Sequence, residues 1–275
     1  MRQFAVLIFL YIYFPVLGQS DEFRARFELG AMGGGSYYIG DLNSSKHFVY
    51  SEPALGVIFR YNLSTRASLR FTGTYGRVQG EDAKADDPFQ LNRNLHFKSK
   101  LYEVAFGVEV DLFRYRINDM KYPISPYFFY EIAYFRMNPQ TEYNGNNIDL
   151  QSLGTEGQGT VLSTKNKYSL NQIAIPLGVG IKFNLRKRLA VSFEYGIRKT
   201  FTDYLDDVSG DYVDPTVLTL ENGPIAGELS NPSLDGNTRT GFNRGNSSTK
   251  DWYSFYGMMI TFKPFKHNPC AWHHK

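Results

Sequence analysis

Residues 172–183, QIAIPLGVGIKF, decide the fold because their side chains alternate between two kinds with a period of two. The odd-numbered positions carry Ile, Ile, Leu, Val, Ile and Phe, and the even-numbered positions between them carry Ala, Pro, Gly, Gly and Lys. Successive side chains of a β-strand point to opposite faces, so this period predicts a strand with one apolar face.

Seven further segments alternate in the same way, and together they predict eight antiparallel strands. No stretch after residue 18 reaches the ~20 apolar residues that a membrane helix needs, and the mean hydropathy is −0.36. A membrane crossing would therefore use strands. The apolar faces of the seven segments span residues 25–31, 55–61, 67–75, 102–112, 128–134, 189–197 and 252–262.

The connections between these strands alternate between short and long. Residues 62–66, 113–123 and 184–188 form the short ones, and residues 34–53, 76–97, 137–167 and 200–251 form the long ones. Outer-membrane barrels have short periplasmic turns and long extracellular loops. We therefore expect an all-β fold, an antiparallel up-and-down transmembrane β-barrel of eight strands in outer-membrane lipid. Residues 161–170 and 201–219 could add strands or rim extensions.

A soluble eight-stranded barrel that points its apolar face inward, toward a ligand, is the alternative. Three features of the sequence favour lipid. The polar faces carry many glycines and opposed charges, the aromatic residues cluster toward strand ends, and the loops are asymmetric.

The polar faces of the predicted strands would fill the lumen of so small a barrel with charged side chains. Six basic and six acidic groups can neutralise each other there, which predicts a plugged barrel that conducts no ions. The predicted interior network consists of Arg24, Arg26, Arg60, Arg70, Lys182 and Arg198 with Glu28, Glu103, Glu109, Asp111, Glu131 and Glu194.

The first residues resemble a secretory signal peptide, because Arg2 precedes an apolar stretch that runs from Phe4 to Gly18. The expected organisation is a signal peptide over 1–18, an outer-membrane β-barrel over 19–263 and a periplasmic C-terminal tail over 264–275. A membrane anchor is the alternative for the first segment, but the apolar run is short for one.

No motif in the sequence indicates catalysis, a metal or a cofactor. His47 and His96 fall in predicted loops, and His267, His273 and His274 fall in the tail beside the single cysteine, Cys270, with a spacing that matches no structural zinc site well. We therefore expect a protein that is not an enzyme.

Two further ligand classes receive little support from the sequence. The net charge of +3 with scattered basic residues gives no indication of a nucleic-acid partner. An acidic run could ligate calcium, but it lacks the spacing of a calcium loop, which favours a solvated outer loop. The run consists of Asp203, Asp206, Asp207, Asp211 and Asp214.

Three stretches resemble the PorG family of outer-membrane barrels: residues 36–48, SYYIGDLNSSKHF; residues 172–183; and residues 198–212, RKTFTDYLDDVSGDY. The resemblance covers nearly the whole mature chain and is weakest over residues 213–250. Its most specific part is the loop motif formed by Thr202, Asp203, Tyr204, Leu205, Asp206, Asp207, Val208, Ser209 and Gly210.

This resemblance implies a component of the type IX secretion system, which exports cargo proteins across the outer membrane. It also implies an association with the periplasmic ring made of a PorK-like lipoprotein and its PorN-like partner, through the short turns or the tail. No catalytic residues come with the family. The alternative function is a stand-alone surface-binding or adhesion barrel that uses its long loops, and a lipid-acting enzyme that uses His47 and His96 is a third.

Overall fold

The computed structural model describes residues 26–117, 119, 121–186 and 188–264. The side chains of Arg26 and Arg186 are outside this description. The predicted signal peptide and all of the predicted tail beyond Pro264 lie outside the described residues, and so does Arg24.

Strands dominate the described part of the chain, as the alternating pattern predicts. Among the described residues, no helix is both long and apolar enough to cross a membrane. The strands are β1 (Arg26–Ile39), β2 (Glu52–Asn62), β3 (Ala67–Glu81), β4 (His96–Asp111), β5 (Ile124–Arg136), β6 (Pro139–Tyr143), β7 (Asn146–Asp149), β8 (Asn171–Arg186), β9 (Leu189–Thr200) and β10 (Trp252–Phe262). The helices are a 3₁₀ turn (Asp82–Lys84), α1 (Pro88–Arg93), α2 (Leu150–Leu153), α3 (Pro215–Asn222) and α4 (Pro224–Ser230).

Eight of these strands close into one antiparallel barrel. The order around the sheet is β3-β2-β1-β10-β9-β8-β5-β4, and β3 pairs with β4 to complete the ring. The first and last strands pair along their length, from Leu29 opposite Phe262 to Ile39 opposite Trp252. Closure leaves no barrel edge with unpaired backbone groups, which is what a strand-built membrane crossing requires. The predicted eight-stranded barrel is confirmed.

The apolar face of each barrel strand points outward. Leu55 and Val57 are 64% and 63% exposed, whereas Arg60 and Arg70 are buried in the lumen. An apolar outer surface around a charged interior suits a barrel surrounded by hydrocarbon. The soluble alternative, with the apolar face inward, is therefore wrong.

Several strands extend further than the apolar alternation indicated. The end of β1 lies at Ile39 and that of β3 at Glu81, and His96 begins β4, so placing His96 in a loop was wrong. Backbone pairing can continue above the lipid because both faces of a strand may be polar in water. The apolar pattern therefore reports where the lipid ends, not where the strand ends.

The four long connections lie at one end of the barrel, over residues 40–51, 82–95, 137–170 and 201–251, and the short turns lie at the other. The third long connection contains the β6–β7 hairpin, which pairs with the top of β4. Residues 161–170 and 201–214 form no strand, so these suggested extra strands are absent from the described chain. Residues 215–222 form α3 instead.

Candidate functional site

Charged side chains fill the centre of the barrel. Arg70 on β3 donates from Nη1 and Nη2 to the two carboxylate oxygens of Glu194 on β9, over 2.9 and 3.0 Å. Its Nη1 also lies 3.1 Å from Glu109, and its Nε lies 3.2 Å from Glu131. One guanidinium therefore joins carboxylates from three other strands across the lumen.

Two smaller clusters extend this network toward the barrel ends. Toward the short turns, Lys182 contacts Glu109 and lies 2.9 Å from Asp111, while Arg60 donates to Glu109 over 2.9 Å. Toward the long connections, Arg198 lies 3.4 Å from Glu103. Burying charges is costly unless each is paired and hydrogen-bonded, so this interior depends on all of its members.

Ten of the twelve residues of the predicted network have described side chains, and all ten are buried in the lumen. Glu28 accepts a 2.8 Å hydrogen bond from Asn62 and lies 3.9 Å from Arg60. The described interior holds four cations, Arg60, Arg70, Lys182 and Arg198, against six carboxylates. Tyrosines supply further donors, since Tyr127 donates to Glu194 and Tyr253 donates to Glu103.

The barrel mouth at the end of the short turns is narrowed by the turn between β4 and β5. Tyr115 and Ile117 fold back into the barrel and pack beside Ala190. Lys182 lies 5.1 Å from the ring of Tyr115. The turn therefore covers the lower charge cluster, and the lumen is filled from this end as well as at its centre.

The motif of residues 202–210 lies over the barrel mouth at the end of the long connections. We define the cap as this motif together with the residues that contact it from other segments, which include Tyr38, Thr155, Glu156, Tyr168 and Arg244. Leu205 and Val208 are buried in the same apolar cluster as Tyr38, Leu42 and Phe97. Backbone groups of the motif are held by carboxylates from other loops, because Glu156 accepts from the amides of Ser209 and Gly210 over 2.8 and 2.9 Å.

The aspartates of the motif point into the cap. Asp207 accepts hydrogen bonds from Thr155 and Tyr168 over 2.5 and 2.6 Å, and Asp206 accepts from Tyr38. Asp203, Asp206 and Asp207 are all buried. Reading the acidic run as a solvated outer loop was wrong for these three residues, because hydroxyl donors satisfy their oxygens away from water. Asp211 remains exposed.

Thr202, Tyr204 and Ser209 of the motif also make side-chain contacts in the cap. Thr202 accepts through its hydroxyl from the amide of Tyr204 over 3.1 Å, and the ring of Tyr204 stacks on that of Tyr168 at 4.6 Å. Ser209 donates to Asp203 over 2.7 Å. The motif is thus held both by hydrogen bonds within it and by contacts with residues far away in sequence.

Burial raises the pKa values of the carboxyl groups in the cap. The pKa of Asp207 is raised to about 6 by burial, although Arg244 opposes this, and burial also raises the pKa of Asp203 to about 6. Burial raises the pKa of Asp206 well above its usual value, and the nearby Asp41 adds to the rise. Burial also raises the pKa of Asp251 well above its usual value, and repulsion from Asp206 adds to the rise. Burial in the cap therefore makes these four carboxyl groups weaker acids than carboxyl groups in water.

Two arginines that sequence patterns did not single out hold the loops of the cap together. Arg244 donates to Glu156 over 3.2 Å and to the carbonyl of Asp207 over 2.6 Å. Arg93 forms a bidentate ion pair with Asp82, in which Nε and Nη2 donate to the two carboxylate oxygens over 2.7 and 2.8 Å. Its Nη1 donates to the carbonyl of Arg244 over 2.8 Å. Neither lies in a periodic segment, so only the fold brings them to the motif.

Each of the two described histidines lies beside a hydroxyl group. His47 Nδ1 lies 2.9 Å from the hydroxyl of Tyr37, and His96 Nε2 lies 2.8 Å from the hydroxyl of Thr141. Within the described ranges, no group of three or more His, Cys, Asp or Glu side chains is placed to hold a metal ion. His267, His273, His274 and Cys270 lie outside those ranges.

A sequence family described as a domain of unknown function, DUF6089, matches residues 2–223. The chain belongs to the DUF6089 family. The match includes the whole motif of residues 202–210 and seven of the eight barrel strands. No curated protein matches this DUF6089 chain.

The chain is similar in fold to solved outer-membrane barrels. Ail, the attachment invasion locus protein of Yersinia pestis in complex with the heparin analogue sucrose octasulfate, is 11% identical, with 88% of this chain and 100% of Ail covered and a TM-score of 0.41. Neisserial surface protein A is 13% identical, with 88% and 99% covered and a TM-score of 0.43. OprG from Pseudomonas aeruginosa is 12% identical, with 87% and 98% covered and a TM-score of 0.39.

Proposed function

We propose that this DUF6089 barrel is a non-enzymatic component of the type IX secretion system that connects a periplasmic ring to the outer membrane. The ring would consist of a PorK-like lipoprotein and a PorN-like partner. The proposal includes export through a cleaved signal peptide over 1–18, a barrel over 19–263 and a periplasmic tail over 264–275. It is supported by the PorG-like stretches, including the motif of residues 202–210.

The observation that carries the proposal is the filled lumen. Arg70 and its three carboxylate partners occupy the barrel centre, and Tyr115 and Ile117 cover the periplasmic side. A barrel of this kind offers cargo no passage. Such a barrel can still serve secretion by holding other components at the outer membrane. Periplasmic components would bind it at the rim of short turns.

The periplasmic rim has a chemistry that suits a protein partner. A depression of about 390 Å³ is lined by Arg66, Phe113, Arg114, Lys121 and Tyr122, among others. In the described parts of the three short turns, together with Lys263 and Pro264, Asp119 is the one acidic residue. A basic rim with an apolar recess favours a partner that presents carboxylates around an apolar side chain.

The experiment is a co-purification after mild detergent extraction of outer membranes, with a tag inserted after Gly236 in an exposed loop. We expect the PorK-like and PorN-like proteins to copurify with the unmodified barrel. The triple variant R66E/R114E/K121E should lose them, because it reverses the charge of the rim. The matched control K46E/K84E reverses two extracellular lysines and should retain them.

Two readouts separate a lost interface from a misfolded barrel. Heat-modifiable electrophoretic mobility reports whether each variant is folded, and cargo export reports the function. The secretion role would be refuted if the folded, unmodified barrel were recovered alone and if cells that lack its gene exported cargo normally.

A second candidate function, a surface-binding barrel, is favoured by one extracellular feature. A cavity of about 470 Å³ lies between the tops of β3 and β4 and the β6–β7 hairpin, and Tyr50, Gln79, Lys84, His96 and Gln140 are among its lining residues. If adhesion depends on this cavity, the variant K84A/H96A should reduce attachment of whole cells to glycan-coated surfaces and leave cargo export unchanged.

A further inference from the structure

Three cations lie side by side on the outer surface of β3, β4 and β5, at the extracellular edge of the apolar belt. Arg77 on β3 pairs directly with Lys100 on β4. Arg136 on β5 pairs with Tyr102 on β4, two residues along the same outward face from Lys100. All three basic side chains are exposed, and they surround the extracellular ends of the apolar rows on these strands.

The placement of these cations is electrostatically unfavourable without an anion. Like charges directly opposite each other on one face of an antiparallel pair destabilise it, and Arg77 and Lys100 are such a pair. The outward positions from Gly73 to Arg77, from Lys98 to Val104 and from Tyr134 to Arg136 carry no carboxylate. The nearby Glu52 accepts a 2.7 Å hydrogen bond from Gln79, and its charge also attracts Arg77.

An aromatic layer lies directly below the cations. Tyr75 pairs with Tyr102, and their rings are 5.1 Å apart. Arg77 donates from Nε to the hydroxyl of Tyr75 over 3.2 Å. Tyrosine rings collect at the boundary between hydrocarbon and headgroups. The cations therefore lie at the depth of the lipid headgroups in the outer leaflet.

Below the tyrosines the apolar surface is indented. Gly73 pairs with Val57 on one side and with Val104 on the other, and it is one of the residues that line a depression of about 730 Å³. Leu55, Tyr102, Tyr134 and Arg136 contribute to its lining. The depression is apolar at its base, and it reaches the cation cluster at its upper edge.

We propose that this face binds a phosphorylated lipid of the outer leaflet. The phosphate would lie among Arg77, Lys100 and Arg136, whose guanidinium and ammonium groups are strong donors to phosphate oxygens. An acyl chain of the same lipid would occupy the depression over Gly73. The inference rests on the outward face of the barrel alone, so it stands or falls independently of the secretion role.

The test measures binding of lipid A to the full-length, refolded barrel in detergent by native mass spectrometry. The probes are lipid A with two phosphates, its monophosphoryl form and inorganic phosphate. The triple variant R77Q/K100Q/R136Q should bind bisphosphorylated lipid A roughly tenfold more weakly, which corresponds to ~1.4 kcal/mol. The unmodified barrel should bind the monophosphoryl form less tightly than the bisphosphorylated one.

A second variant tests the acyl-chain part without removing charge. In G73L the new Cβ would lie 3.5 Å from the Val57 side chain, an ordinary contact, so the barrel can accept it. Its side chain would fill the depression and should weaken binding of lipid A. The matched control is K199Q, because Lys199 is an exposed lysine on β9 beside Trp252, in a different part of the barrel surface. Heat-modifiable mobility verifies folding of each variant.

Lipid A binding by the triple variant, G73L and K199Q distinguishes a lipid site from general surface charge. Selective weakening by the triple variant and by G73L, with K199Q unchanged, supports it. Equal weakening by K199Q would show a general surface potential and overturn it. Displacement of lipid A by inorganic phosphate, with G73L unchanged, would show a simple anion site and overturn the lipid assignment.

Discussion

Arg70 and Glu194 face each other across the barrel lumen and share two hydrogen bonds, of 2.9 and 3.0 Å, between strands β3 and β9. These strands are not neighbours in the sheet, so the pair spans the interior and does not simply reinforce a strand pairing. The guanidinium also lies 4.1 Å from the ring centre of Phe129. Arg70 thus contacts three of the six carboxylates that the described interior holds.

Removing Arg70 should destabilise the barrel strongly. The variant R70M keeps an extended side chain but leaves Glu131 and Glu194 buried with less compensation. Breaking a buried ion pair by removing one partner costs ~3–5 kcal/mol. We expect a loss of this order in urea unfolding in lipid vesicles, followed by tryptophan fluorescence. The control K84M removes an exposed lysine and should change stability by less than ~0.5 kcal/mol.

The filled lumen should not conduct ions. Purified barrel in planar lipid bilayers is expected to show no steady current, because charged pairs and the Tyr115 turn occupy the space that water would need. Steady single-channel conductance of the folded protein would contradict this packing. The variant R70A, which removes the central guanidinium, should show more frequent transient openings than the unmodified chain.

The barrel could be predicted from the sequence because lipid imposes a period of two. Leu55 and Val57 must face hydrocarbon and Arg60 must not, so the pattern records which face each residue takes. The charged interior follows from the same rule, since residues such as Glu109 and Arg198 have the opposite parity. Closure fixes the rest, because an open edge cannot exist in lipid.

The cap could not be predicted in this way. Asp207 is held by Thr155 and Tyr168, which belong to another loop, and its backbone has a φ of 67°. Arg244 reaches the same segment from a stretch where the sequence has no period. Water surrounds these loops, so no alternation is imposed, and contacts between loops leave no local signal. Only a resemblance between sequences indicated that residues 202–210 form a distinct structure.

Arg244 should be essential for the cap and dispensable for the barrel. The variant R244Q removes the donor to Glu156 and to the carbonyl of Asp207, and it leaves a buried carboxylate with less compensation. We expect residues 201–251 to become sensitive to a protease added outside intact cells, while heat-modifiable mobility stays unchanged. The control R239Q affects a pair with Asp235 that is partly exposed, and it should remain protease-resistant.

The cap should be more stable at mildly acidic pH than at neutral pH. The pKa values of Asp203 and Asp207 are raised to about 6 in the folded cap, from an ordinary value of 3.8. A raised carboxyl pKa means that the folded cap binds protons more tightly than the open one. The stabilisation is full below the ordinary value and is lost as the pH rises through about 6.

Hydrogen exchange of the amides of residues 202–210, corrected for intrinsic rates, measures this effect. Cap opening should be at least roughly tenfold rarer at about pH 5 than at about pH 7.5, equivalent to ~1.4 kcal/mol. The variant D207N should reduce the dependence without abolishing it, because Asp207 no longer titrates and Asp203 still does. The control D235N changes an exposed aspartate and should leave the dependence intact. Protection that instead increases toward neutral pH would show that Arg244 and Arg93 outweigh burial in setting the charge of the cap.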